Sequence, residues 1–527
     1  MKDLPVGIQS FEKLRMSGYL YVDKTKDILS LVSTSKPYFL SRPRRFGKSL
    51  TISVIQAIFE GRKELFEGLY IYDKWDWTKT NPVIRIDFGA MANRATEEVK
   101  FSLTHHLIEI AKSYKVTSSG DTIPDKFEAL IKNLHQSTGE KVVVLVDEYD
   151  KPIVDNLTDL ATADANRQLL HDFYQVLKAA DDHLRFVFLT GVSKFSKVSL
   201  FSGLNSPDDI TIDHRFATLC GYTQQELESC FEEHIRSMAA SMGIPPNELV
   251  AKIRSWYNGY SWDGANTVYN PFSTLLLFTK CVFKDYWFAT GTPTFLVNLI
   301  KERNEVHLLT EPSLIQESGF DKFDIRTLDT RLLLFQTGYL TIKKVADDTF
   351  TEQRNFTLDI PNQEVRLAMM EHMVGSFAAF PDSETGAMRS QMLHSLLDGN
   401  AALLEQHVKS LFARIPHQLH LPREAYYHSM LLVWLNMLGF KVEAEVLSTD
   451  KGRIDAVWTW GERAVIAEVK YSGRGATDKL IGEAFRQIKE KKYHERYADG
   501  KHRIALLAVA FAGKKIACQM QELDSAL

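Results

Sequence analysis

The residues best suited to bind a phosphate group lie between a short apolar run, Pro37–Ser41, and a helix-compatible run, Leu50–Phe59. Between them the chain reads Arg-Pro-Arg-Arg-Phe-Gly-Lys-Ser, from position 42 to position 49. Backbone N–H groups at a helix N-terminus surround phosphate oxygens, a lysine reaches the terminal phosphates, and a hydroxyl binds Mg²⁺. We therefore predict a P-loop that takes ATP with Mg²⁺. The predicted nucleotide contacts are Arg44, Arg45, Phe46, Gly47, Lys48, Ser49 and Leu50, with Ser49 on the metal.

This loop departs from the usual pattern at its first glycine, which is Arg42 here. The change leaves the conformation at the start of the loop open, and we expect Arg44 and Arg45 to add positive charge that compensates. Gly-Lys-Ser alone is common by chance, so the alternative is a basic turn that caps an ordinary helix.

A second motif favours the phosphate-binding interpretation. Five apolar β-formers, Val142–Val146, run directly into Asp147 and Glu148. Open α/β sheets bind their ligands at the carboxyl ends of buried strands, which is where these two carboxylates would lie. We predict that Asp147 binds Mg²⁺ and that Glu148 orients or deprotonates the water that attacks the γ phosphate. The alternative is a solvated strand end followed by a helix cap.

Two further residues are candidates for sensing the nucleotide. Thr190 ends a fourth apolar run, Arg185–Leu189, and we expect its hydroxyl to lie beside the Asp147 strand, where it could sense the γ phosphate. Arg215 could act as an arginine finger, although an arginine in such a place is more often a surface residue.

Near the C-terminus, three charged residues are spaced for phosphodiester chemistry. Gly461-Glu462 suits the two central positions of a tight hairpin turn, which pairs Trp460 with Arg463. Counting back from that pair places Asp455 opposite Glu468, with Cβ atoms about 4.5–5.5 Å apart. Facing carboxylates are destabilising unless a divalent cation lies between them, and Lys470 falls on the same face of the strand. We therefore predict a metal-dependent nuclease centre with catalytic residues Asp455, Glu468 and Lys470.

The segments that flank this hairpin add weaker candidates. Glu424 opens a predicted amphipathic helix whose face it shares with His428, and it could be a third metal ligand. Ala484–Tyr493 is predicted to form a helix with Gln487 and Lys491 on one side, facing a DNA backbone. Exposed polar positions on solvated helix faces are the alternative for these residues.

The pattern of elements predicts an α/β multidomain chain. Four β-like runs alternate with helical stretches in the first part, as in a parallel sheet covered by helices. The pattern becomes helical and aromatic from about residue 224, with a small hairpin of winged-helix type between Leu333 and Leu358. We expect a P-loop parallel-sheet ATPase domain at 1–223, a mostly helical lid or winged-helix-like domain at 224–380, and an α/β nuclease-like domain at 381–527.

Composition excludes few classes of protein. The chain has 527 residues, of which 45% are hydrophobic and 25% charged, and these are globular values. A net charge of −4 gives no overall attraction to nucleic acid, so any such binding needs a local basic patch. No apolar run approaches the roughly 20 residues that span a bilayer. Four scattered cysteines without CxxC spacing favour a reducing cytoplasm.

Several segments together resemble one family. They are Leu4–Phe11, Tyr21–Thr25, Arg42–Ser49, Asp147–Pro152, Thr190–Phe195, Trp256–Tyr260, Asn270–Phe272 and Pro361–Val365. The chain resembles bacterial proteins that join an AAA-ATPase-like domain to a C-terminal nuclease domain of the PD-(D/E)XK superfamily. In that family the loop without its first glycine is a common trait. The proline-aspartate form of the first nuclease motif is absent, because Ile454 precedes Asp455.

The resemblance implies ATP binding by Lys48 and Ser49, Mg²⁺ binding and hydrolysis at Asp147 and Glu148, and a nuclease centre that uses Mg²⁺ or Mn²⁺. Our leading hypothesis is an ATP-controlled nuclease that acts on DNA. The alternative is a nucleotide-dependent switch that binds nucleic acid or protein without cleaving it. A translocating motor is less favoured, because no series of helicase motifs follows Glu148. We also predict no membrane association and consider a homo-oligomer possible.

Overall fold

The structure is a computed structural model of the whole chain. It describes residues 1–157, 159–194, 207–290, 294–303, 305–309, 311–320, 329–348, 352–378, 382–414, 424–438, 442–448, 452–460, 463–497, 502–513 and 515–523. These residues form two compact units, one made of 1–287 with 314–362 and the other of 288–313 with 363–527. The predicted α/β multidomain class is confirmed, whereas the three domain boundaries stay a prediction.

A parallel sheet forms the centre of the first unit, in the order β2-β3-β4-β1-β5. Its strands are β1 (Pro37–Ser41), β2 (Val83–Asp87), β3 (Val142–Asp147), β4 (Leu184–Gly191) and β5 (Asp208–Asp209). The first four were predicted. The fifth pairs beside β1 and consists of two aspartates, so it carries no apolar signal that could have predicted it.

Helices cover this sheet. In this part of the unit they are Phe11–Met16, Thr25–Val32, Lys48–Phe59, Thr96–Ser113, Ile123–Thr138, Lys151–Val154 and Leu160–Ala179. Three of them, beginning at Thr96, Ile123 and Leu160, bury their apolar sides against β2, β3 and β4. Local sequence explains the helix that begins at Ile123, since Thr122 forms a capping box with Asp125.

The middle of the chain adds further helices and a small sheet to the first unit. Its helices are Gln224–Cys230, Glu232–Met242, Pro246–Tyr257, Pro271–Lys280 and Thr330–Thr337. The sheet has strands β6 (Ser313–Gln316), β7 (Thr341–Asp347) and β8 (Arg354–Asp359) in the order β6-β8-β7. The predicted hairpin is therefore present, as the antiparallel pair β7 and β8.

The second unit contains the C-terminal sheet, in the order β13-β12-β11-β10-β9. Its strands are β9 (Glu443–Ser448), β10 (Gly452–Trp460), β11 (Arg463–Ser472), β12 (Arg503–Ala512) and β13 (Lys515–Leu523). Strands β11 and β12 are parallel, and the other neighbours are antiparallel. The helices of this unit are Thr294–Arg303, Gln363–Ala378, Asp382–Leu397, Ala401–Arg414, Glu424–Met437 and Thr477–Glu490.

Two details of the C-terminal prediction can be compared with the structure. The predicted register is confirmed, because Trp460 lies opposite Arg463, while the turn residues Gly461 and Glu462 lie outside the described residues. The helix predicted as far as Tyr493 ends at Glu490 instead. Lys492 has a φ of 53°, a left-handed conformation that stops the helix and that the residue types did not indicate.

Candidate functional site

The P-loop joins β1 to the helix Lys48–Phe59. Gly47 has a φ of 97°, which suits glycine, and it turns the chain into that helix. The Lys48 Nζ donates to the carbonyl oxygens of Arg42 at 2.8 Å and Pro43 at 3.0 Å. Burial lowers the pKa of Lys48, and attraction to Asp147 opposes that shift. Because an ammonium has three N–H donors, the loop fixes this lysine with two and leaves the third for a phosphate.

Arg42, which replaces the first glycine, ties the loop to its surroundings. Its side chain is fully buried and donates to the carbonyl oxygens of Ser41 at 2.9 Å, Thr211 at 2.8 Å and Phe216 at 3.2 Å. Its guanidinium carbon lies 4.0 Å from the centre of the Trp262 ring. Burial lowers the pKa of Arg42 to about 10. The arginine is thus a structural anchor, a role that the sequence pattern did not indicate.

The other predicted loop residues occupy three kinds of position. Phe46 is buried, and its ring packs edge-on against Tyr260 at 4.8 Å, so its side chain belongs to the core. Arg44 and Arg45 are exposed, and Arg45 has a φ of 66°. Ser49 and Leu50 are partly buried and lie in the first turn of the helix.

Asp147 ends β3 beside the P-loop and has one oxygen left for a cation. Its Oδ1 accepts from the Thr190 hydroxyl at 2.7 Å and from the Glu148 backbone N–H at 3.1 Å. Its Oδ2 is buried, and the residues that the structure describes offer it no hydrogen-bond partner. Because buried carboxylate oxygens are ordinarily paired, the Asp147 Oδ2 suits the role of a ligand to a hard cation such as Mg²⁺.

Glu148 and a residue that sequence reasoning missed, Asp87, lie at the same edge of the sheet. A Cβ placed on Gly89 would lie 2.7 Å from the Glu148 Oε2 and 2.8 Å from the Asp87 Oδ1, so both carboxylates face this glycine. Burial raises the pKa of Glu148, while Lys48 lowers it. Asp87 ends β2 directly beside Asp147, and burial followed by repulsion from Asp147 raises its pKa. Its position at a strand end was the available signal.

The two candidate sensors differ in placement. Thr190 is fully buried next to β3, and its hydroxyl is the group that orients Asp147. Arg215 is exposed and forms an ion pair with Asp213 at 2.5 Å, which matches the surface alternative.

The C-terminal hairpin brings its charged residues together. The ladder between β10 and β11 includes Ala456 opposite Ala467, one position from Asp455 and Glu468. The Asp455 Oδ2 accepts from the Val469 backbone N–H at 2.7 Å, so this carboxylate reaches across to β11. Glu468 is only 1% exposed, and its Oε1 lies 2.9 Å from the Lys470 Nζ.

A buried tyrosine that the sequence did not single out lies among these charges. The Tyr493 side chain is hydrogen-bonded to Gln487, and burial raises the pKa of its phenol, with smaller contributions from Glu468 and Asp455. The positive charge of Lys470 lowers the pKa of the same phenol. The hydrogen bond from the Val469 N–H to Asp455 and the ion pair between Lys470 and Glu468 bring the three predicted catalytic residues together on the hairpin.

The flanking candidates belong to the helices Glu424–Met437 and Thr477–Glu490. His428, in the helix Glu424–Met437, makes a hydrogen bond of 2.7 Å between its Nε2 and the Asp455 carbonyl oxygen. Glu424 begins that helix one turn earlier, but its side chain lies outside the described residues. Lys491 is the C-cap of the helix that contains Gln487.

The donor set of the hairpin suits an oxygen-loving cation. Asp455 and Glu468 supply carboxylate oxygens, the ligands that Mg²⁺ and Mn²⁺ prefer. Within the described ranges no group of three His, Cys, Asp or Glu residues is arranged to hold a metal ion. The Glu424 side chain lies outside those ranges. Two protein carboxylates are compatible with Mg²⁺, which keeps several water ligands.

Comparison with known proteins covers both sites. A family described as predicted AAA-ATPase matches residues 5–201, and the PD-(D/E)XK nuclease superfamily matches residues 422–520. An uncharacterized protein in the vnfD 5′ region of Azotobacter chroococcum mcd 1 is 39% identical over 520 residues, which are 97% of this chain and 96% of that protein. Among the described helices, none has the length and apolar character needed to cross a membrane.

Proposed function

Because this chain belongs to the family of predicted AAA-ATPases that carry a C-terminal domain of the PD-(D/E)XK nuclease superfamily, we propose that it is an ATP-hydrolysing enzyme whose nucleotide state controls a metal-dependent DNA nuclease. The observation that carries the nuclease half is that Asp455 reaches β11 next to Glu468, whose carboxylate is paired with Lys470 at 2.9 Å. A buried carboxylate such as Glu468, with a second carboxylate beside it, is costly to keep unless these charges have a use.

At the first site, the residues divide the work of hydrolysis. Lys48 binds the β and γ phosphates, and Thr190 fixes the orientation of Asp147. Glu148 accepts the proton of the attacking water, and burial raises its pKa, which makes the carboxylate a stronger base. Mg²⁺, held by Asp147 and Ser49, would neutralise phosphate charge when bound.

At the second site, Asp455 and Glu468 would hold Mg²⁺ or Mn²⁺, which polarises the phosphodiester when bound. Lys470 is close enough to the carboxylates to donate to a phosphate oxygen beside them and to stabilise its developing charge. The role of Glu424 as a third ligand remains a prediction from the sequence.

The DNA substrate is supported by the position of Gln487 and Lys491 at the end of the helix Thr477–Glu490. In this proposal Gln487 and Lys491 contact the backbone of the nucleic acid. Self-association and a cytoplasmic location stay predictions from the sequence.

The test compares wild type with Lys48→Ala and Lys470→Ala on double- and single-stranded DNA and on RNA, with Mg²⁺ or Mn²⁺ and with or without ATP. Lys470→Ala should abolish cleavage while ATP binding persists, and Lys48→Ala should lose ATP binding and the effect of ATP on cleavage. Lys479→Ala, an exposed lysine of the same unit, is the matched control and should behave as wild type.

Three outcomes would contradict the proposal. Equal cleavage by wild type and Lys470→Ala would remove the nuclease assignment. Unchanged ATP binding by Lys48→Ala would remove the P-loop assignment. Nucleotide-dependent DNA binding without cleavage by the wild type would favour the alternative, a switch that does not cut.

A further inference from the structure

The P-loop is held by side chains from the middle of the chain. Arg42 stacks on Trp262, and Phe46 packs against both Tyr260 and Trp262, with ring centres 4.8 Å and 5.4 Å apart. These aromatic residues belong to the same compact unit as the loop. Close packing of this kind transmits displacement, because interiors have little free space. A change in the loop on phosphate binding therefore acts on the segment around Tyr260 and Trp262.

The chain leaves this unit at a residue that is bonded to the P-loop. The Trp287 Nε1 donates to the Arg44 carbonyl oxygen at 3.0 Å, and Trp287 is the last residue of that stretch of the first unit. The next residue, Phe288, belongs to the second unit, where its ring stacks on His372 with centres 4.8 Å apart. Two consecutive residues are thus fixed to the loop and to the helix Gln363–Ala378.

The chain passes a second time from the first unit to the second at Asn362 and Gln363, and we call such a peptide connection a crossing. A Cβ on Gly259, whose φ is 112°, would lie 2.2 Å from the Pro361 carbonyl oxygen, and the Lys343 Nζ donates to that oxygen at 2.8 Å. Asn362 is the last residue of the first unit, and Gln363 begins the helix. Because Gly259 precedes Tyr260, one short loop contacts both the P-loop and this crossing.

Within the second unit, the contacts continue to the predicted catalytic residues. The helix Gln363–Ala378 packs along the helix Glu424–Met437. The second of these helices carries His428, which contacts the Asp455 carbonyl oxygen at 2.7 Å. Contacts within the first unit thus link the Arg44 carbonyl to Trp287, contacts within the second link Phe288 to the strand that carries Asp455, and the two residues are consecutive in the chain.

We propose that the helix Gln363–Ala378 is the element through which nucleotide at the P-loop regulates the hairpin carboxylates. The proposal rests on the proposed function and names the route of its regulation. Binding that moves the Arg44 carbonyl pulls on Trp287 and hence on Phe288, and the helix passes the displacement to His428. Coupling of this kind ordinarily changes the affinity or population at the second site about 5- to 150-fold.

The experiment uses Trp287→Phe in the full-length chain, which keeps an aromatic ring and removes the N–H donor. Trp77→Phe is the matched control, because the Trp77 Nε1 donates to the Tyr72 carbonyl oxygen at 2.8 Å, away from the loop. Both variants and the wild type are assayed for binding of a fluorescent ATP analogue and for DNA cleavage with Mn²⁺, with and without ATP. Hydrogen exchange of residues 363–378 is measured with and without ATP.

We expect Trp287→Phe to bind the analogue within about threefold of wild type and to keep cleavage without nucleotide. Its response to ATP should fall at least fivefold, in cleavage and in the exchange of 363–378. Trp77→Phe should keep the full response. A full response in Trp287→Phe would overturn the proposal, as would exchange in 363–378 that ATP leaves unchanged in wild type.

The two readouts separate this proposal from the proposed function. If ATP changes exchange in 363–378 of the wild type and Trp287→Phe loses that change, the route stands even when no DNA is cut, and the nuclease assignment fails alone. If the wild type cuts DNA under ATP control with no change in 363–378, the nuclease stands and the route is wrong.

Discussion

Replacing Arg42 by the glycine that most P-loops have at this position should weaken the loop. Arg42→Gly removes a buried guanidinium that donates to the carbonyl oxygens of Ser41, Thr211 and Phe216 and stacks on Trp262. Three buried acceptors then lose a charged donor, and a void replaces the side chain. The change also frees the backbone at the start of the loop.

The size of the effect follows from these contacts. Hydrogen bonds to a charged donor contribute about 1.5–3 kcal/mol each, and a cation–π contact about 0.5–2 kcal/mol, which gives a gross gain of about 5–11 kcal/mol. Desolvation of the guanidinium opposes this gain, as its pKa of about 10 indicates. A buried carbonyl that loses its donor costs about 1–3 kcal/mol, and with three such carbonyls offset by the relieved desolvation we expect Arg42→Gly to cost about 3–5 kcal/mol.

Urea unfolding followed by tryptophan fluorescence measures this loss. With a slope of about 3 kcal/mol per molar urea, the transition of the first unit should move down by about 1 M or more. ATP affinity should fall as well, because the carbonyls of Arg42 and Pro43 hold Lys48. Arg42→Lys keeps the positive charge but loses the planar set of N–H donors, so its urea midpoint and ATP affinity should lie between those of wild type and Arg42→Gly. An unchanged midpoint and unchanged ATP affinity in Arg42→Gly would refute this reasoning.

Two other variants test the geometry around the general base. Gly89→Ala places a methyl group 2.7 Å from the Glu148 Oε2, so it should lower kcat for ATP hydrolysis about 100-fold with little change in ATP affinity. The control is Gly482→Ala, whose methyl group meets nothing within 4 Å and which should leave kcat unchanged. Equal kcat values for the two variants would contradict the assignment of Glu148. Lys151→Met removes a cation that lowers the pKa of Glu148. Since Glu148 acts only when deprotonated, the acid limb of the kcat profile should move to higher pH, and a limb that stays or moves down would count against Glu148 as the base.

Features that depend on short stretches of sequence were predictable. The strand before Asp147, the helix after Lys48 and the pairing of Trp460 with Arg463 each follow from neighbouring residues. The carboxylate and lysine cluster of the hairpin then followed from counting along a strand. Local patterns carry this information because strand alternation and turn chemistry act over a few residues.

Features that depend on distant residues were not predictable. The anchoring role of Arg42 was not predictable, because its acceptors at Thr211 and Phe216 lie about 170 positions away. Asp87 is a site candidate only because β2 pairs in parallel with β3, which aligns it with Asp147. Tyr493 was placed on the wrong element, because a left-handed residue ends the helix before it.

The backbone of Glu148 is in a conformation that lowers the stability of the chain. Its φ of 53° lies in the left-handed region, which costs a residue with a side chain about 1–2 kcal/mol relative to glycine. Glycine or asparagine would relieve that strain, so Glu148→Gly should make the chain more stable while it removes the base. Stability and activity are therefore opposed at this position. Relatives that have lost hydrolysis would be expected to drift to glycine or asparagine here, and position 148 can serve as an evolutionary test for retained catalysis.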